Sequence, residues 1–317
     1  SCLLADKSHV DAVIRLQGLK TQLNEAPAPG FQEIDKGSRE SESQAYDHPE
    51  YVIIRAIHSF LLGKTGVCET HLINFAQLAK NRAGTKLSEK QQRFCNAYFV
   101  FLRHLIKNGL QRQEIISSKV YHLGESHCLS YAHSEIVKSN TTYQIEPRIT
   151  FGAKAFRFAE EPANAFKAIT KMNLDAIPNG SEVFLSFGEI DCRHNEGFIS
   201  AIAKTGKPMR SLIEETTEGY VSWFLTNNQN NSHKLHFFNV PAPLYREELS
   251  KETNLTAAKI VETFNCCLKK NLYSNSAKMI DVYCLTRDEE GFSNKKYHCD
   301  DFHLDRRILS LIEKQLN

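Results

Sequence analysis

Lys119-Val120-Tyr121-His122-Leu123-Gly124-Glu125-Ser126 is the stretch on which the fold of this chain turns. A short run rich in β-branched and aromatic side chains reads as a buried strand, the glycine ends it, and the following residues suit a helical turn. The same order recurs downstream. YQIEPRITFG (143–152), EVFLSFG (182–188), KLHFFNV (234–240) and KMIDVY (278–283) are further strand candidates, separated by helix-compatible segments. Strand and helix in alternation predict an α/β fold with a parallel sheet covered on both faces, and chemistry in the loops at the carboxyl ends of the strands.

Upstream of residue 116 the periodicity is helical. Val10, Val13, Ile14, Leu16 and Leu19 fall at helical spacing between His9 and Leu23, before APAPG and the polar DKGSRESESQ, so a helix leads into a linker near 26–49. YVIIRAIHSFLL, ETHLINFAQLAK and SEKQQRFCNAYFVFLRHLIKNGL then read as three amphipathic helices, the last opened by Ser88 and Gln91 as a capping box. The expected organisation is a helical region over 1–115 and an α/β domain over 116–317.

Composition narrows the function classes. The chain has 317 residues, 41% hydrophobic and 24% charged, an ordinary globular balance. Its 39 Lys plus Arg against 37 Asp plus Glu leave a formal charge of +2, which gives no field for nucleic acid or an acidic membrane surface. No apolar run approaches the roughly 20 residues of a membrane span. The nine cysteines form no Cys-x-x-Cys pair, so neither a disulfide framework nor a zinc site is read, and scattered thiols without a secretory signal point to the cytoplasm.

Three fragments carry candidate chemistry. Ser126 sits at a strand-to-helix turn, where its hydroxyl is lifted from the sheet edge beside free backbone N–H groups; that suits a nucleophile, and equally a helix N-cap. Asp300 and His303 share one loop, where a carboxylate can fix the tautomer of an imidazole base, or where an acidic cluster can simply open the final helix. Glu189, Asp191 and Arg193 follow a buried strand, as a substrate or oxyanion site or as an ion-pair cluster anchoring the loop.

In this order the fragments resemble the SGNH (GDSL-type) hydrolase family, in a branch carrying the string FGEIDCR (187–193). Gly124-Glu125-Ser126 is similar to the first block, Gly152 to the second-block glycine, and Asp300-x-x-His303 to the last block, so the resemblance spans about residues 117–317. It implies a flavodoxin-like three-layer α/β/α fold and a serine esterase without a cofactor. Ser126 would attack an ester carbonyl, His303 would act as base and Asp300 would orient it. The Ser126 and Gly152 N–H groups would form the oxyanion hole, and O-acetyl esters on glycans would be a substrate class. Two positions depart from the pattern. Ile190 stands where the third block carries Asn, which makes Arg193 the expected replacement donor, with Asp191 beside it at the oxyanion or substrate; Glu125 stands in place of Asp.

The alternatives are a binding protein on the same fold, with the helices docking a protein partner, and an acyltransferase using the same serine. A metal site built from His122, His127 and His133 is set aside, because strand and helical geometry aim the three apart. Cys128 and Cys299 read as buried fillers.

Overall fold

A computed structural model of the chain describes residues 48–81, 87–108, 118–275 and 277–317. The helix read over His9 to Leu23 and the linker up to residue 47 lie outside these. The chain divides into two compact units, Ser1–Gln111 and Arg112–Asn317.

The first unit contains α1 (Pro49–Leu61), α2 (Thr65–Asn81) and α3 (Glu89–Lys107). Proline opens α1, where its missing N–H costs no hydrogen bond. The capping box of α3 is formed in both directions, Gln91 N–H donating to Ser88 Oγ at 3.3 Å and Ser88 N–H to Gln91 Oε1 at 3.0 Å. Ile53, Ile57 and Phe60 of α1 are fully buried with Leu102 and Phe101 of α3.

In the second unit, β1 (Lys119–Gly124), β3 (Thr141–Ile149), β4 (Glu182–Ser186), β5 (Lys234–Phe238) and β6 (Lys278–Ile280) form a parallel sheet, with β2 (Glu135–Lys138) antiparallel on the β3 edge. The order is β2-β3-β1-β4-β5-β6. Taken alone, the parallel strands run 2-1-3-4-5, the flavodoxin-like order, whose direction of winding reverses between β1 and β4. Helices α4 (Ala165–Asp175), α5 (Phe198–Thr205), α6 (Met209–Asn227), α7 (Lys251–Ser274) and α8 (Leu309–Leu316) complete the unit. No helix among the described residues is long and apolar enough to cross a membrane.

Alternation along the strands separates two cores. Tyr121 and Leu123, Val183 and Leu185, and Leu235 and Phe237 face α4, α6 and α7, where Phe158, Phe187, Tyr220 and Phe224 pack ring against ring. Val120, Phe184, Phe238 and Ile280 face the other way, onto Tyr131 and onto Leu304, Ile308 and Ile312 of the C-terminal segment. His122 shares that second face, its ring stacked on Tyr131 and Phe238 with Nε2 2.9 Å from Ser186 Oγ.

The strand β2 is absent from the sequence reading. It has four residues, and the turn joining it to β3 places Ser139 and Asn140 at φ +48° and +61°, the backbone of a type I′ hairpin. The carboxyl end of β1 is tightly fixed. A Cβ on Gly124 would lie 2.2 Å from Ser186 Oγ and 2.8 Å from the Ser186 carbonyl oxygen. Gly124→Ala is therefore expected to destabilise the protein by about 1–3 kcal/mol through forced displacement of β4; an unchanged urea midpoint would mean that the two strands can part without cost.

Candidate active site

All the candidate residues lie beyond the carboxyl ends of parallel strands, around the reversal between β1 and β4. Gly124 pairs with Ile149 on one side and Ser186 on the other, and the ladder runs one step further as the Thr150 N–H donates to the Gly124 carbonyl at 2.7 Å. Three turns thus start at one level of the sheet. They carry Ser126, Gly152 and the Gly188–Arg193 segment.

Beyond Glu125 the chain enters a 3-10 turn, Ser126–Leu129, which lifts the Ser126 hydroxyl clear of the sheet. The first N–H groups of such a turn have no partner within it. Among the described residues neither the Ser126 N–H nor the Gly152 N–H donates to a protein acceptor. Gly152 has φ +63° and open space where a Cβ would stand, a backbone that other residues adopt only with strain.

The last loop closes over Ser126 from 177 residues away, with His303 Nε2 at 2.7 Å from Ser126 Oγ. On its other side the His303 ring has Nδ1 2.7 Å from Asp300 Oδ2. Asp300 Oδ1 also accepts the Phe302 and His303 N–H groups at 2.9 and 2.8 Å, so the loop is folded around this carboxylate. Burial opposes its charge, but the His303 ring and these N–H donors prevail and hold the carboxyl well below the usual range. A serine, an imidazole and a carboxylate are in hydrogen-bonded sequence, an arrangement that can move the hydroxyl proton to Nε2 while Asp300 stabilises the resulting imidazolium.

The third turn differs from expectation at two residues. Asp191, expected at the oxyanion or substrate, is buried and accepts the Ala155 N–H at 2.7 Å and the Phe156 N–H at 3.2 Å. Its carboxylate anchors the segment after Gly152, because the single helical turn Glu189–Cys192 sends adjacent side chains to different sides. Arg193, expected to donate to the oxyanion, donates to Glu189 at 2.6–3.0 Å and to Glu196 at 3.3 Å, and its guanidinium lies 4.2 Å from the centroid of the Phe302 ring. Its contacts brace the Asp300–His303 loop rather than reach Ser126. Arg246 approaches the same ring at 5.1 Å and donates to Asp301 at 3.0 Å. A cavity of about 50 Å³ opens beside this bracing, bordered by Arg193, His194, Val240, Arg246, His298 and Phe302.

Among solved structures, the chain is similar to a GDSL-like lipase from Bacteroides thetaiotaomicron, 14% identical, over 68% of this chain and 93% of that one, with a TM-score of 0.41. It is also similar to an extracellular lipase from Streptomyces rimosus, 10% identical over 63% and 100% of the chains with a TM-score of 0.41. A phospholipase A1 from Streptomyces albidoflavus is 12% identical over 62% and 99%, with a TM-score of 0.39. No protein-family model and no curated protein matches the chain.

Two residues beside Ser126 escaped the sequence reading of the site. Glu125 Oε2 accepts the Ser126 hydroxyl at 2.5 Å, and Glu125 Oε1 is in hydrogen-bond contact with His127 Nδ1. His127 Nε2 lies 3.0 Å from the Phe302 carbonyl oxygen. Of the three histidines of the metal reading, His122 Nε2 contacts Ser186 and His127 Nδ1 contacts Glu125. Potential ligand atoms of Glu125, His127 and His303 nevertheless lie within 4.8 Å of one another. The hydrogen bonds just described already engage those atoms with one another, with Ser126 and with Phe302.

The Asp191 carboxyl also makes stability depend on pH. Burial outweighs its N–H donors and Lys154 and pushes its carboxyl up to about 7. Native protein therefore retains a proton that the unfolded chain releases near pH 4, so this group's contribution to stability falls as pH rises between about 4 and 7. Relative to Asp191→Asn, the natural protein should lose urea resistance across that window, and parallel pH curves would refute the assignment. Asp191→Ala should cost about 2 kcal/mol or more at any pH by leaving two N–H groups without their acceptor.

Proposed function

We propose that this protein is a serine hydrolase that cleaves a carboxylic ester through an acyl-enzyme on Ser126. The observation that carries the reading is the unbroken contact from Ser126 Oγ through His303 to Asp300, at 2.7 Å on each side of the ring. As Ser126 Oγ bonds to the ester carbon, its proton passes to His303 Nε2 and the carbonyl electron pair moves onto oxygen. His303 then gives that proton to the departing alcohol. Water enters by the reverse sequence, giving its proton to His303 and releasing the acid and the free serine. The N–H groups of Ser126 and Gly152 receive the oxyanion. The sequence resemblance to SGNH hydrolases supports the same roles and suggests O-acetyl groups on glycans as the substrate.

The Ile190 side chain has no hydrogen-bond donor, and this favours the second reading, a binding protein that keeps the hydrolase fold. Fluorophosphonate labelling separates the two: an activated Ser126 reacts, whereas a serine that only caps a turn does not. Ser126→Ala should abolish both labelling and hydrolysis of a short-chain acyl ester. Asp300→Asn should retain the fold and lower kcat by about 10⁴-fold, since the ring then loses the anion that stabilises its charged form. Full hydrolysis by Ser126→Ala would remove the serine from the mechanism. Release of acetate from an O-acetylated sugar, compared with transfer to an added sugar acceptor, distinguishes hydrolysis from acyl transfer.

A further inference from the structure

Ser126 has one hydroxyl proton and two neighbours able to take it, Glu125 Oε2 at 2.5 Å and His303 Nε2 at 2.7 Å. Its side-chain environment is therefore shared between two carboxylate–imidazole pairs. Asp300–His303 lies on one side and Glu125–His127 on the other, with the two imidazole rings 4.8 Å apart between centroids. Glu125 is 1% exposed and His127 8%, and a carboxylate is retained in such a place only with a partner. The Phe302 carbonyl can only accept, so His127 Nε2 carries a hydrogen, and the second ring nitrogen shares a proton with Glu125.

Deepening the hydrolase reading and resting on it, we propose that Glu125 and His127 are a positioning pair: Glu125 holds the resting Ser126 hydroxyl, while His127 balances that carboxylate and pins the His303 loop through Phe302. When His303 is doubly protonated, its Nε2–H donates to Ser126 Oγ and the serine donates to Glu125. Once His303 loses that proton, the serine hydroxyl turns to Nε2 and attack proceeds, with Glu125 taking no proton. Burial works against a charged His127, but Glu125 first, then Glu189 and the Phe302 carbonyl, push it up to about 9. The other groups facing this space include Arg193 from the turn after β4, His298, Asp300 and Asp305 from the C-terminal segment, and His122 of β1 and Cys128, which burial keeps uncharged, His122 down to about 3. Arg193 is neutralised by Glu189, and burial keeps His298 uncharged, down to about 4.

The test has a spectroscopic and a kinetic arm. In ¹⁵N-imidazole spectra of the whole protein, His127 should remain doubly protonated at pH 8 and become singly protonated below pH 7 in Glu125→Gln. His127 titrating near pH 6.5 in the natural protein would overturn the pair, whether or not the protein hydrolyses esters. In the kinetic arm, His127→Gln leaves the Glu125 charge without its partner beside His303. The acidic limb of kcat/KM should then move to higher pH. The kcat value should fall on the order of 100-fold as the loop loses its anchor, with KM within twofold. Adding Glu125→Gln should reverse the pH shift but not the loss of kcat. An unmoved limb in His127→Gln, or a shift that survives in the double variant, would overturn the proposal. Full ester hydrolysis by Ser126→Ala would instead remove the hydrolase reading, leaving the spectroscopic result to judge the pair.

Discussion

The contact between the carboxyl ends of β1 and β4 governs the rest of the second unit. Gly124 leaves no room for a side chain against Ser186, and its carbonyl takes the N–H of Thr150 from β3. Three chain reversals must therefore begin at one height beside the point where the sheet changes its direction of winding. A parallel sheet buried on both faces cannot slide by one residue without turning every apolar side chain to the wrong core, so this register is held along the whole length of β1. The 3-10 turn at Ser126 inherits that rigidity. Under the proposed mechanism the Ser126 hydroxyl needs little reorganisation to meet His303.

The partner loop has a different source of order. Leu304, Ile308 and Ile312 pack on the same face as Val120 and Phe184, and α8 fastens to the hairpin edge as the Val137 N–H donates to Glu313 at 2.8 Å. Apolar burial thus anchors the chain just after His303. Immediately before it the anchors are polar and electrostatic: Asp300 gathers its own loop's N–H groups, while Arg193 and Arg246 lie against the Phe302 ring. Cation–π contacts of this sort are worth about 0.5–2 kcal/mol each, enough to favour one loop conformation without making it a second core.

The parallel strands were legible from short runs rich in β-branched and aromatic residues between helical segments, and β1, at Lys119–Gly124, begins and ends where its sequence suggests. β3 was read as far as Gly152 but stops at Ile149, because β1 has ended by then and leaves no strand to pair with. The hairpin strand β2 was not legible from apolar pattern, since only Ile136 of its four residues is buried; Ser139-Asn140 was the turn signal that could have shown it. At the candidate site, Ser126, Asp300 and His303 are named by the order of their motifs, and the structure brings the three side chains into hydrogen-bond contact. Asp191 and Arg193 do not join them, because neighbours in a polar string need not face one place once a helical turn separates them. Glu125 and His127 are two residues apart, a spacing that shares a face in a strand but not in a helix, and the 3-10 turn that begins at Ser126 is what brings them together.

Arg193 also bears on the oxyanion. Its guanidinium is held by Glu189 and Glu196 and lies against Phe302, so the charge that sequence assigned to the developing oxyanion acts one step away, on the loop that holds the base. Ile190 offers nothing in the place of the missing amide. In the proposed reaction this leaves two backbone N–H groups, those of Ser126 and Gly152, to receive the negative oxygen. Removing one oxyanion-hole side-chain donor from a serine protease costs about 2.7–4 kcal/mol, or 10²–10³ in rate. A hydrolase without such a donor would depend more heavily on placement of the proton acceptor, and the surrounding contacts here are concentrated on the loop that carries His303. Phe302 receives His127 at its carbonyl, Asp300 at its N–H and two guanidinium groups at its ring, and the next residue in the chain is His303.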